Sequence, residues 1–465
     1  MAVGLDSSCW TSLTGFFQRS SDRSAYRAIL TEEAFRQTVE RDLIGVGAGP
    51  ANLSLASLLA TAKERGLTSI TATFFEREAN VFWHSLQMFP GTLMQTEFYR
   101  DLVTPIDPTS RFSFLNYLKA QARLDQFFCS SAIYPTRREF EDYFRWVAGQ
   151  IGDVIFGVAV STVDYDTKKN VFVVDAAAHG CCQAKHVVFG CGGQPKSGVE
   201  ESRSGRIVDV SKLLAFTFPE TLNRILVVGG GQSAAECLNY LLDKFSERPV
   251  RIDWVTSETS FRALDTSNFS REAFSTAYAQ VFSGLTHEAR EKINNDDKSV
   301  AIGMPPLFAQ ALYQRLYQLR HLPAPEEACP IVHMQANTEV VEARENSSGV
   351  AVKASIVSTG KTDVASYDCV ILCTGLDDET ILESSIIGPE LRRRIDRNQD
   401  RTGYAVRWDG PSDRMIFVQS QNEDTHGLGD SSSVTAPGRN AAILNSIAGR
   451  EIYKIDESDL LVALR

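Results

Sequence analysis

A glycine-rich turn early in the sequence is the first group of residues whose types and spacing suggest chemistry. Gly45, Gly47 and Gly49 alternate with small residues, and Pro50 follows them. Glycine lets the backbone approach an anion closely, and the N–H groups and positive dipole end of a helix N-terminus attract phosphate. Proline suits the first helical turn, where its missing N–H is not needed. The turn therefore predicts a site for the pyrophosphate of a dinucleotide.

A second turn of the same kind lies near the middle of the chain. Gly229, Gly231 and Ala234 match the GxGxxA fingerprint, and Gln232 and Ser233 stand between them. One such turn alone is weak evidence, because glycine turns before helices are common and often only connect a strand to a helix. Two turns, each inside a complete strand–turn–helix–strand unit, predict two dinucleotide sites.

The elements that position both turns follow from the hydrophobic pattern. A strand at Asp42–Gly45 leads into the first turn, a helix at Asn52–Glu64 follows it, and a strand at Ile70–Glu76 ends in an acid. At that position Glu76 can accept hydrogen bonds from ribose hydroxyls. The other predicted elements are strands at Ile225–Val228 and Arg251–Thr256, helices at Ala234–Phe245 and 305–320, a meander at 338–357 and a buried strand at Asp368–Cys373.

The composition of the chain limits the classes of protein to which it could belong. With 465 residues, 43% of them hydrophobic, it is long enough for two or three domains with their own cores. A net charge of -11 argues against a general nucleic-acid or anionic-membrane binder. The sequence shows neither an apolar run of membrane-spanning length nor a secretory signal. The nine scattered cysteines lack metal-ligand spacing, so we expect free thiols, no metal site and a cytoplasmic location.

The number of predicted dinucleotide sites also limits the types of reaction that the chain could catalyse. Two dinucleotides in one chain imply a flavin that accepts a hydride from a nicotinamide. A disulfide reductase would need a redox-active cysteine pair as well, and the sequence contains no CxxC or CxxxxC pair. A monooxygenase, an oxidase and an electron-transfer reductase remain.

Ordered sequence blocks between and after the two units narrow the choice further. They occur at Phe82–His84, Pro90–Gln95, Asp101–Thr104, Asp107–Ser110, Phe112–Leu118, Tyr134–Pro135, Arg145–Trp146, Ala263–Asp265 and Asp424–Leu428. In type, order and spacing these blocks make the chain, over about residues 42–455, similar to the lysine N6-hydroxylase and ornithine N5-hydroxylase family. These are the siderophore-associated, flavin-dependent N-hydroxylating monooxygenases.

The resemblance implies an amine N-hydroxylation that uses non-covalent FAD, NADPH or NADH, and O2. Reduced FAD would react with O2 to form a C4a-hydroperoxyflavin, and a primary amine would attack its distal oxygen. Only the neutral amine can attack. Because a free lysine amine has a pKa near 10.4, deprotonating it near pH 7.5 costs about 4 kcal/mol. The site must lower that cost by burial or accept the proton on binding.

The resemblance also implies residues for the flavin site. Trp83, His84 and Gln95 would lie along the flavin, with Gln95 as the catalytic candidate. Thr374 and Gly375, which follow the last buried strand, would also contact the cofactor. Trp83 and His84 each have a simpler interpretation, as a core residue and as a hydrogen-bonded buried histidine.

Two arginines are the candidates for substrate binding. Arg100 stands where the amino-acid hydroxylases place a lysine that binds the substrate carboxylate, and it keeps the charge while adding a bidentate fork. Arg271 replaces an asparagine of the ornithine enzymes, and Val300 and Ala301 replace an Asn-Tyr pair. These differences make ornithine a poorer candidate than lysine. The simpler interpretation of Arg100 is a solvated surface arginine.

Several functions stay open at this point. The leading one is N6-hydroxylation of L-lysine for a siderophore-type metabolite, with a small-molecule amine as the partner and no nucleic acid or membrane. Diamine, histamine or ornithine N-hydroxylation is the nearest alternative, and Arg100 argues against the diamines because they have no carboxylate. An NAD(P)H oxidase that makes peroxide and a catalytically silent flavoprotein are alternatives from other classes.

The residues after the second strand of the second unit bear on the choice of nicotinamide. The family places there an arginine that meets the adenosine 2'-phosphate, whereas this chain has Ser257 followed by Glu258. Serine donates only a neutral hydrogen bond, and a carboxylate would repel the phosphate but accept from a 2'-hydroxyl. Arg262 could supply the missing charge, and Glu258 could simply face solvent. We expect NADH to be used comparably to NADPH or better.

The fold class that follows is α/β, with two Rossmann-like dinucleotide-binding domains and a small helical substrate region. The resemblance further implies a homo-oligomer. The predicted divisions are an N-terminal extension at 1–40, a discontinuous FAD-binding domain at 41–205 and 368–455, an NAD(P)H-binding domain at 206–262 and 326–367, and a helical substrate-binding region at 263–325.

Overall fold

The computed structural model describes residues 40–83, 87–193, 205–322, 330–375, 380–396, 403–456 and 459–462. The predicted N-terminal extension, apart from its last residue, lies outside these ranges. Within them, two sheets that each carry one glycine turn and a separate antiparallel meander form an α/β fold, which confirms the predicted class. None of the helices described here has both the length and the apolarity needed to cross a membrane.

The elements follow one another in the order that two strand–turn–helix–strand units require. In chain order the strands are β1 (Glu40–Val46), β2 (Ala72–Glu76), β3 (Val154–Phe156), β4 (Thr162–Asp166), β5 (Val171–Asp175), β6 (Cys181–Phe189), β7 (Ile207–Asp209), β8 (Arg224–Val228), β9 (Arg251–Val255), β10 (Ile331–Gln335), β11 (Thr338–Asn346), β12 (Gly349–Ile356), β13 (Thr362–Tyr367), β14 (Cys369–Leu372) and β15 (Ile416–Val418). The α-helices are α1 (Pro50–Glu64), α2 (Phe114–Ala120), α3 (Leu124–Cys129), α4 (Arg137–Ala148), α5 (Gln232–Lys244), α6 (Thr276–Ser283), α7 (His287–Asp296), α8 (Lys298–Ala301), α9 (Pro306–His321), α10 (Pro389–Arg394), α11 (Glu423–His426) and α12 (Ala436–Ala448). Short 3-10 helices lie at Ala177–His179, Val210–Ala215, Ser270–Phe274, Ile381–Glu383 and Leu428–Ser431.

The first sheet carries the first glycine turn. Its strands run in the order β3-β2-β1-β6-β5-β4, and β15 pairs with β6. Because β1 pairs in parallel with both β2 and β6, the turn at its carboxyl end lies inside the sheet, where open α/β sheets bind ligands. Leucines on several sides of α1 are buried, since α1 packs against both this sheet and α12.

The second sheet carries the second glycine turn. Its five strands, in the order β10-β9-β8-β14-β7, are all parallel. α5 follows the turn after β8, and its buried leucines pack with Trp254 in one core. The predicted domain boundary at 368 is wrong, because β14 lies between β8 and β7 and its apolar side chains complete this sheet. The chain therefore returns to the first unit after β14.

The predicted helical region divides into two parts. α6, α7 and α8 pack against α11 and the 3-10 helix Leu428–Ser431, which follow β15 of the first sheet. α9 instead packs against α5 and β10 and contributes Leu312 to the core of the second unit. α9 is thus the crossover helix between β9 and β10, so the separate helical region is shorter than the predicted 263–325.

The predicted meander is a three-stranded antiparallel sheet. β11, β12 and β13 pair in sequence order, and the meander extends to Tyr367 rather than ending at residue 357. Val350 and Val352 of β12 are buried against Leu226 and Val255 of the second sheet. The meander therefore covers one face of the second unit.

Candidate functional site

The inner side of the first glycine turn packs against neighbouring segments of the first unit. Gly47 has φ +85°, and a Cβ added there would lie 2.8 Å from the carbonyl oxygen of Gly190, so only glycine fits. The Ala48 N–H donates to Glu76 Oε2 at 2.8 Å, and the Asn52 amide donates to the Gly47 carbonyl at 2.8 Å. Glu76 therefore braces the turn. Because a carboxylate has several acceptor positions, it can still accept from a ribose hydroxyl.

The outer side of the same turn is open. Gly49 is the N-cap of α1, which begins at Pro50, and no side chain caps this helix end. A Cβ added at Gly49 would meet only a carbonyl oxygen at 3.9 Å, whereas one at Gly45 would collide with the Phe74 ring. Gly45 therefore serves close strand packing, while the space beside Gly49 and the N–H groups of the first helical turn fit an anion such as a pyrophosphate.

The second glycine turn repeats this division between a closed and an open side. Gly229 has φ +133°, and a Cβ added there would collide with the carbonyl group of Cys373. A Cβ added at Gly231 would meet nothing within 4 Å, and α5 begins beside it at Gln232 without a side-chain cap. This turn also fits an anion at a helix N-terminus.

Thr374 and Gly375 lie beside the second turn. They follow β14, whose neighbour in the sheet is β8, and β8 leads directly into Gly229. The predicted domain division assigned them to the FAD domain, so their position corrects that assignment. A cofactor contact by either residue remains a prediction, now for the second dinucleotide.

A chain of hydrogen bonds joins the two units where Gln95 meets Gln232. The Gln95 side-chain amide donates to Gln232 Oε1, and Gln232 Nε2 donates to Glu236 Oε1 at 2.6 Å. Arg137 Nη2 donates to Glu236 Oε1 at 3.0 Å. Gln95 and Arg137 belong to the first unit and the other two residues to α5 of the second. The predicted catalytic residue and the predicted nicotinamide turn are therefore in direct contact.

A second contact runs parallel to this chain. Ser233 Oγ donates to Gln87 Oε1 at 3.3 Å, and Arg137 Nη1 donates to the Gln87 carbonyl at 3.3 Å. Ser233 was predicted to contact the cofactor, and its hydroxyl here contacts the first unit. Residues 87–95 thus form a loop that lies against the start of α5.

The Arg137–Glu236 pair is buried between the units. The exposed fraction is 8% for Arg137 and 4% for Glu236. Burial raises the pKa of Glu236, and the Arg137 guanidinium acts in the opposite direction. Neither residue was predicted from the sequence. Glu236 stands one helical turn after Gln232, on the same face of α5, and this spacing was the available signal.

The two predicted substrate-binding arginines converge on a buried glutamate. Arg271 Nη2 forms an ion pair with Glu97 Oε1, and Arg100 Nε lies 3.6 Å from Glu97 Oε2. The side chain of Glu97 is 4% exposed, against 27% for Arg100 and 30% for Arg271. Arg100 is therefore no solvated surface residue. The sequence did not point to Glu97, which stands two residues after Gln95, between two of the sequence blocks.

Trp83 packs on the helix α4. Its ring lies edge-on to Phe144 at 5.1 Å between centroids, and its backbone N–H donates to Glu141 Oε2 at 2.9 Å. The residue is half-buried, and these contacts support the simpler interpretation of a packing residue. The predicted flavin contact of Trp83 remains a prediction, and His84 lies outside the described residues.

The loop after β9 carries the residues predicted to select the nicotinamide. Ser257 and Glu258 are exposed. Arg262 is exposed too, and its guanidinium donates to Thr259 Oγ1 at 2.8 Å and to Ser260 Oγ at 3.2 Å. A guanidinium has five N–H donors, so Arg262 keeps donors for a phosphate at this loop.

A buried polar network connects the first turn to the C-terminal part of the first unit. Arg439 forms a fully buried ion pair with Asp430 at 2.7 Å and donates to Gln419 Oε1. Gln419 Nε2 donates to Asn52 Oδ1 at 3.2 Å, and Asn52 supports Gly47. The sequence did not predict this network. It ties the glycine turn to α12.

Family comparison adds an independent observation. Residues 40–378 match the model of the family described as L-lysine 6-monooxygenase/L-ornithine 5-monooxygenase. The L-lysine N6-monooxygenase of Escherichia coli is 29% identical, over 91% of this chain and 98% of that protein. The putrescine N-hydroxylase of Acinetobacter baumannii is also 29% identical, over 90% of this chain and 92% of that protein.

A solved structure agrees with the sequence comparisons. The ornithine N-hydroxylase of Kutzneria sp. 744, solved with reduced FAD, NADP+ and L-ornithine, superposes with a TM-score of 0.79 at 25% identity. The match covers 88% of this chain and 99% of that one. The similarity therefore includes both sheets and the segments between them.

Proposed function

This chain belongs to the L-lysine 6-monooxygenase/L-ornithine 5-monooxygenase family, and from that premise we propose that its substrate is the side-chain amine of L-lysine. Its activity is flavin-dependent N-hydroxylation of lysine, ornithine or a diamine. The proposed reaction converts the amine, O2, NAD(P)H and a proton into the N6-hydroxyamine, water and NAD(P)+. The product would serve the biosynthesis of a siderophore-type metabolite.

The observation that carries this proposal is the charge balance around Glu97. Two guanidiniums, Arg100 and Arg271, share one internal carboxylate, so the cluster has a net charge of +1. Both arginines are partly exposed while the glutamate is buried. A substrate carboxylate would be attracted to this cluster, whereas a diamine has no carboxylate to offer to the two guanidiniums.

The choice of lysine over ornithine is supported by the segment around α8. The resemblance places an Asn-Tyr pair of the ornithine enzymes at Val300 and Ala301. In this structure Val300 is buried on α8, and a valine side chain can neither donate nor accept a hydrogen bond. The polar contacts that those two side chains would make to a substrate are therefore lost in this chain.

The residues present fit two dinucleotides. Gly47, Gly49 and Pro50 would hold the FAD pyrophosphate, and Gly229, Gly231 and Gln232 would hold that of the nicotinamide, because both turns offer open space beside an uncapped helix N-terminus. Bound FAD would supply the two-electron chemistry that links nicotinamide oxidation to oxygen transfer. The contact between Gln95 and Gln232 would help to fix the position of one site relative to the other.

A turnover experiment with separate product assays tests the proposal. The FAD-loaded protein is incubated with NADPH or NADH and with L-lysine, L-ornithine, cadaverine or putrescine, and hydroxylamine and peroxide are quantified independently. We expect hydroxylamine formation with L-lysine at a kcat/KM at least tenfold above the other amines. A preferred diamine would contradict the substrate assignment. Peroxide alone would identify an oxidase, and no NAD(P)H consumption a silent flavoprotein.

We also propose a cytoplasmic homo-oligomer. The seven cysteines that fall within the described residues are all free thiols, which suits a reducing compartment, and the oligomer is what the family resemblance implies. Light scattering on the purified protein should give a mass that is a multiple of 51.4 kDa. A monomer at micromolar concentration would contradict the oligomer.

A further inference from the structure

Glu97 is the buried carboxylate of the proposed substrate site, and the proposed function assigns it no contact with the substrate. Its side chain is 4% exposed and lies between two arginines. The backbone N–H of Arg100 donates to the Glu97 carbonyl at 3.0 Å, so a tight turn holds Arg100 over Glu97. Arg271 approaches from the 3-10 helix Ser270–Phe274. The carboxylate is therefore enclosed by two separate segments.

The number of charges exceeds what a structural ion pair needs. A buried carboxylate requires a positive partner, and Arg271 alone would satisfy Glu97. Arg100 adds a second positive charge that Glu97 does not neutralise. A carboxylate also offers more acceptor positions than the two that these arginines occupy. The cluster thus keeps donors for one carboxylate and acceptor capacity for one ammonium group.

The position of Glu97 relates this capacity to the substrate. Glu97 is two residues from Gln95, whose side chain contacts Gln232 at a meeting point of the two units. A substrate whose side-chain amine reaches that meeting point must place its other end nearby. The end of an α-amino acid carries one carboxylate and one ammonium, which are opposite in sign to the two arginines and to the glutamate respectively.

We infer that Glu97 is a specificity-determining residue that binds the α-ammonium of an amino-acid substrate, while Arg100 and Arg271 bind its α-carboxylate. This inference rests on the proposed function. The site would then recognise both charged α-groups of the zwitterion rather than the carboxylate alone. The site therefore disfavours ω-amino acids, which lack the α-ammonium, as well as diamines, which lack the carboxylate.

Four amines with the same reacting end separate the two contributions. L-lysine has both α-groups, 6-aminohexanoate lacks the α-ammonium, cadaverine lacks the α-carboxylate, and pentylamine lacks both. We measure kcat/KM for hydroxylamine formation and, independently of turnover, calorimetric binding to the FAD-loaded protein. For the wild type we expect L-lysine to exceed 6-aminohexanoate by about 10- to 150-fold, the range of one charge-assisted hydrogen bond.

Glu97→Gln is the variant that isolates the glutamate. It should bring L-lysine to within about threefold of 6-aminohexanoate while the preference of L-lysine over cadaverine persists. Glu97→Asp should retain part of the discrimination because it keeps the charge. Glu64→Gln is the matched control, since Glu64 is an exposed carboxylate paired with Arg111 and its loss should leave all four ratios unchanged.

The outcomes distinguish this inference from the proposed function. A wild type that treats L-lysine and 6-aminohexanoate alike overturns the inference even if L-lysine is hydroxylated, and this result does not depend on any variant folding. A Glu97→Gln protein that weakens all four amines equally assigns Glu97 a structural role and also overturns it. If no amine is hydroxylated, the proposed function fails, and the calorimetric ratios still decide the role of Glu97.

Discussion

At the scale of single residues, the proposed chemistry depends on glycines that leave space open and on arginines that one shared carboxylate only partly neutralises. Gly47 has φ +85° and is enclosed by backbone, while Gly49 and Gly231 border open space. Arg100 and Arg271 share one carboxylate. The glycines exclude side chains from the places where a pyrophosphate would lie, and the arginines retain charge for a substrate.

Gly47→Glu should abolish FAD binding. The new side chain would start 2.8 Å from the Gly190 carbonyl and would add a negative charge where the pyrophosphate binds. The measurement is the flavin-to-protein absorbance ratio of the purified variant, with circular dichroism as the folding check. Gly66→Glu is the control, because Gly66 also has positive φ but nothing lies within 4 Å of its added Cβ. A folded Gly47→Glu protein with a full complement of FAD would refute the site.

Arg100→Ala should raise the KM for L-lysine much more than it slows flavin reduction by NAD(P)H. The loss of one charge-assisted contact is worth about 1.5–3 kcal/mol, or roughly a 10- to 150-fold change. It would leave Arg271 and Glu97 as a neutral pair. Steady-state KM and stopped-flow flavin reduction separate the two effects, and Arg100→Lys should recover part of the affinity. An unchanged KM would show that Arg100 does not bind the substrate.

At the scale of elements, strand ends and the loops that follow them determine what each unit can do. β1 and β8 lead into the glycine turns, β9 leads into the loop with Ser257 and Arg262, and β6 holds β15. Each of the first three is a junction at which a buried strand ends and a glycine-rich or polar segment begins. A change at a junction can therefore alter one property without unfolding the sheet.

The pairing of β15 with β6 should make stability depend on pH through His186. Burial, helped by Arg414, lowers the pKa of His186 to about 4 from its ordinary 6.5, and its Nδ1 accepts from the Met415 N–H at 3.2 Å. Because the folded-state pKa lies below the unfolded one, this contribution is fully present above pH 6.5. It is lost as the pH falls from 6.5 towards 4, and it amounts to at most roughly 3 kcal/mol.

The variant His186→Asn tests this dependence. Asparagine keeps an acceptor for the Met415 N–H but does not titrate, so the loss of stability between pH 7 and pH 4.5 should be smaller than in the wild type. Thermal unfolding across this range is the measurement. His321→Asn, at the exposed end of α9, is the control and should follow the wild type. Parallel curves for wild type and His186→Asn would contradict the assignment.

The loop after β9 should give relaxed nicotinamide selectivity. Ser257 offers no charge for a 2'-phosphate, and the exposed carboxylate of Glu258 beside it would repel one. We expect NADH and NADPH to reduce the flavin with kcat/KM values within about tenfold, and Ser257→Arg to shift the preference toward NADPH by one charge-assisted contact, about 1.5–3 kcal/mol. A hundredfold preference for NADPH in the wild type would be the opposite result, and its loss in Arg262→Ala would identify Arg262 as the phosphate contact.

At the scale of the whole molecule, the two proposed cofactor sites can act together only if the two units hold them close to each other. The hydrogen bonds from Gln95 through Gln232 and Glu236 to Arg137 are one contact between the two units, and the bond from Ser233 to Gln87 is another. The charged pair at the end of this chain is buried. We therefore expect its loss to change the distance and orientation between the two proposed cofactor sites.

Glu236→Gln should slow flavin reduction without loss of FAD. It leaves the Arg137 guanidinium buried and uncompensated, a change that typically costs about 3–5 kcal/mol, and it removes a carboxylate that orients Gln232. Stopped-flow reduction rates and the melting temperature are measured together. Asp243→Asn is the control on the same helix, because its pair with Arg315 is largely exposed and lies within the second unit. Wild-type reduction rates in Glu236→Gln would contradict a positioning role.

What the sequence by itself determined is the set of features that depend on residues close together in the chain. The turns at Gly45–Pro50 and at Gly229–Ala234, the helices that begin beside them and the strands that precede them were all predicted correctly to within a few residues. A positive φ, a helix start and an apolar run each depend on a few consecutive residues. The sequence blocks likewise predicted the family, which the comparisons confirmed.

Only the tertiary structure decided which distant residues meet. Arg137 and Glu236 are 99 positions apart in the chain, and Arg271 reaches Glu97 from a different segment. β14 joined the second sheet rather than the first, because the free energy of strand pairing depends on which neighbours bury its side chains and not on its own composition. The charge of the proposed substrate site follows from such a long-range pairing, because the buried carboxylate of Glu97 lowers the net charge of Arg100 and Arg271 from +2 to +1.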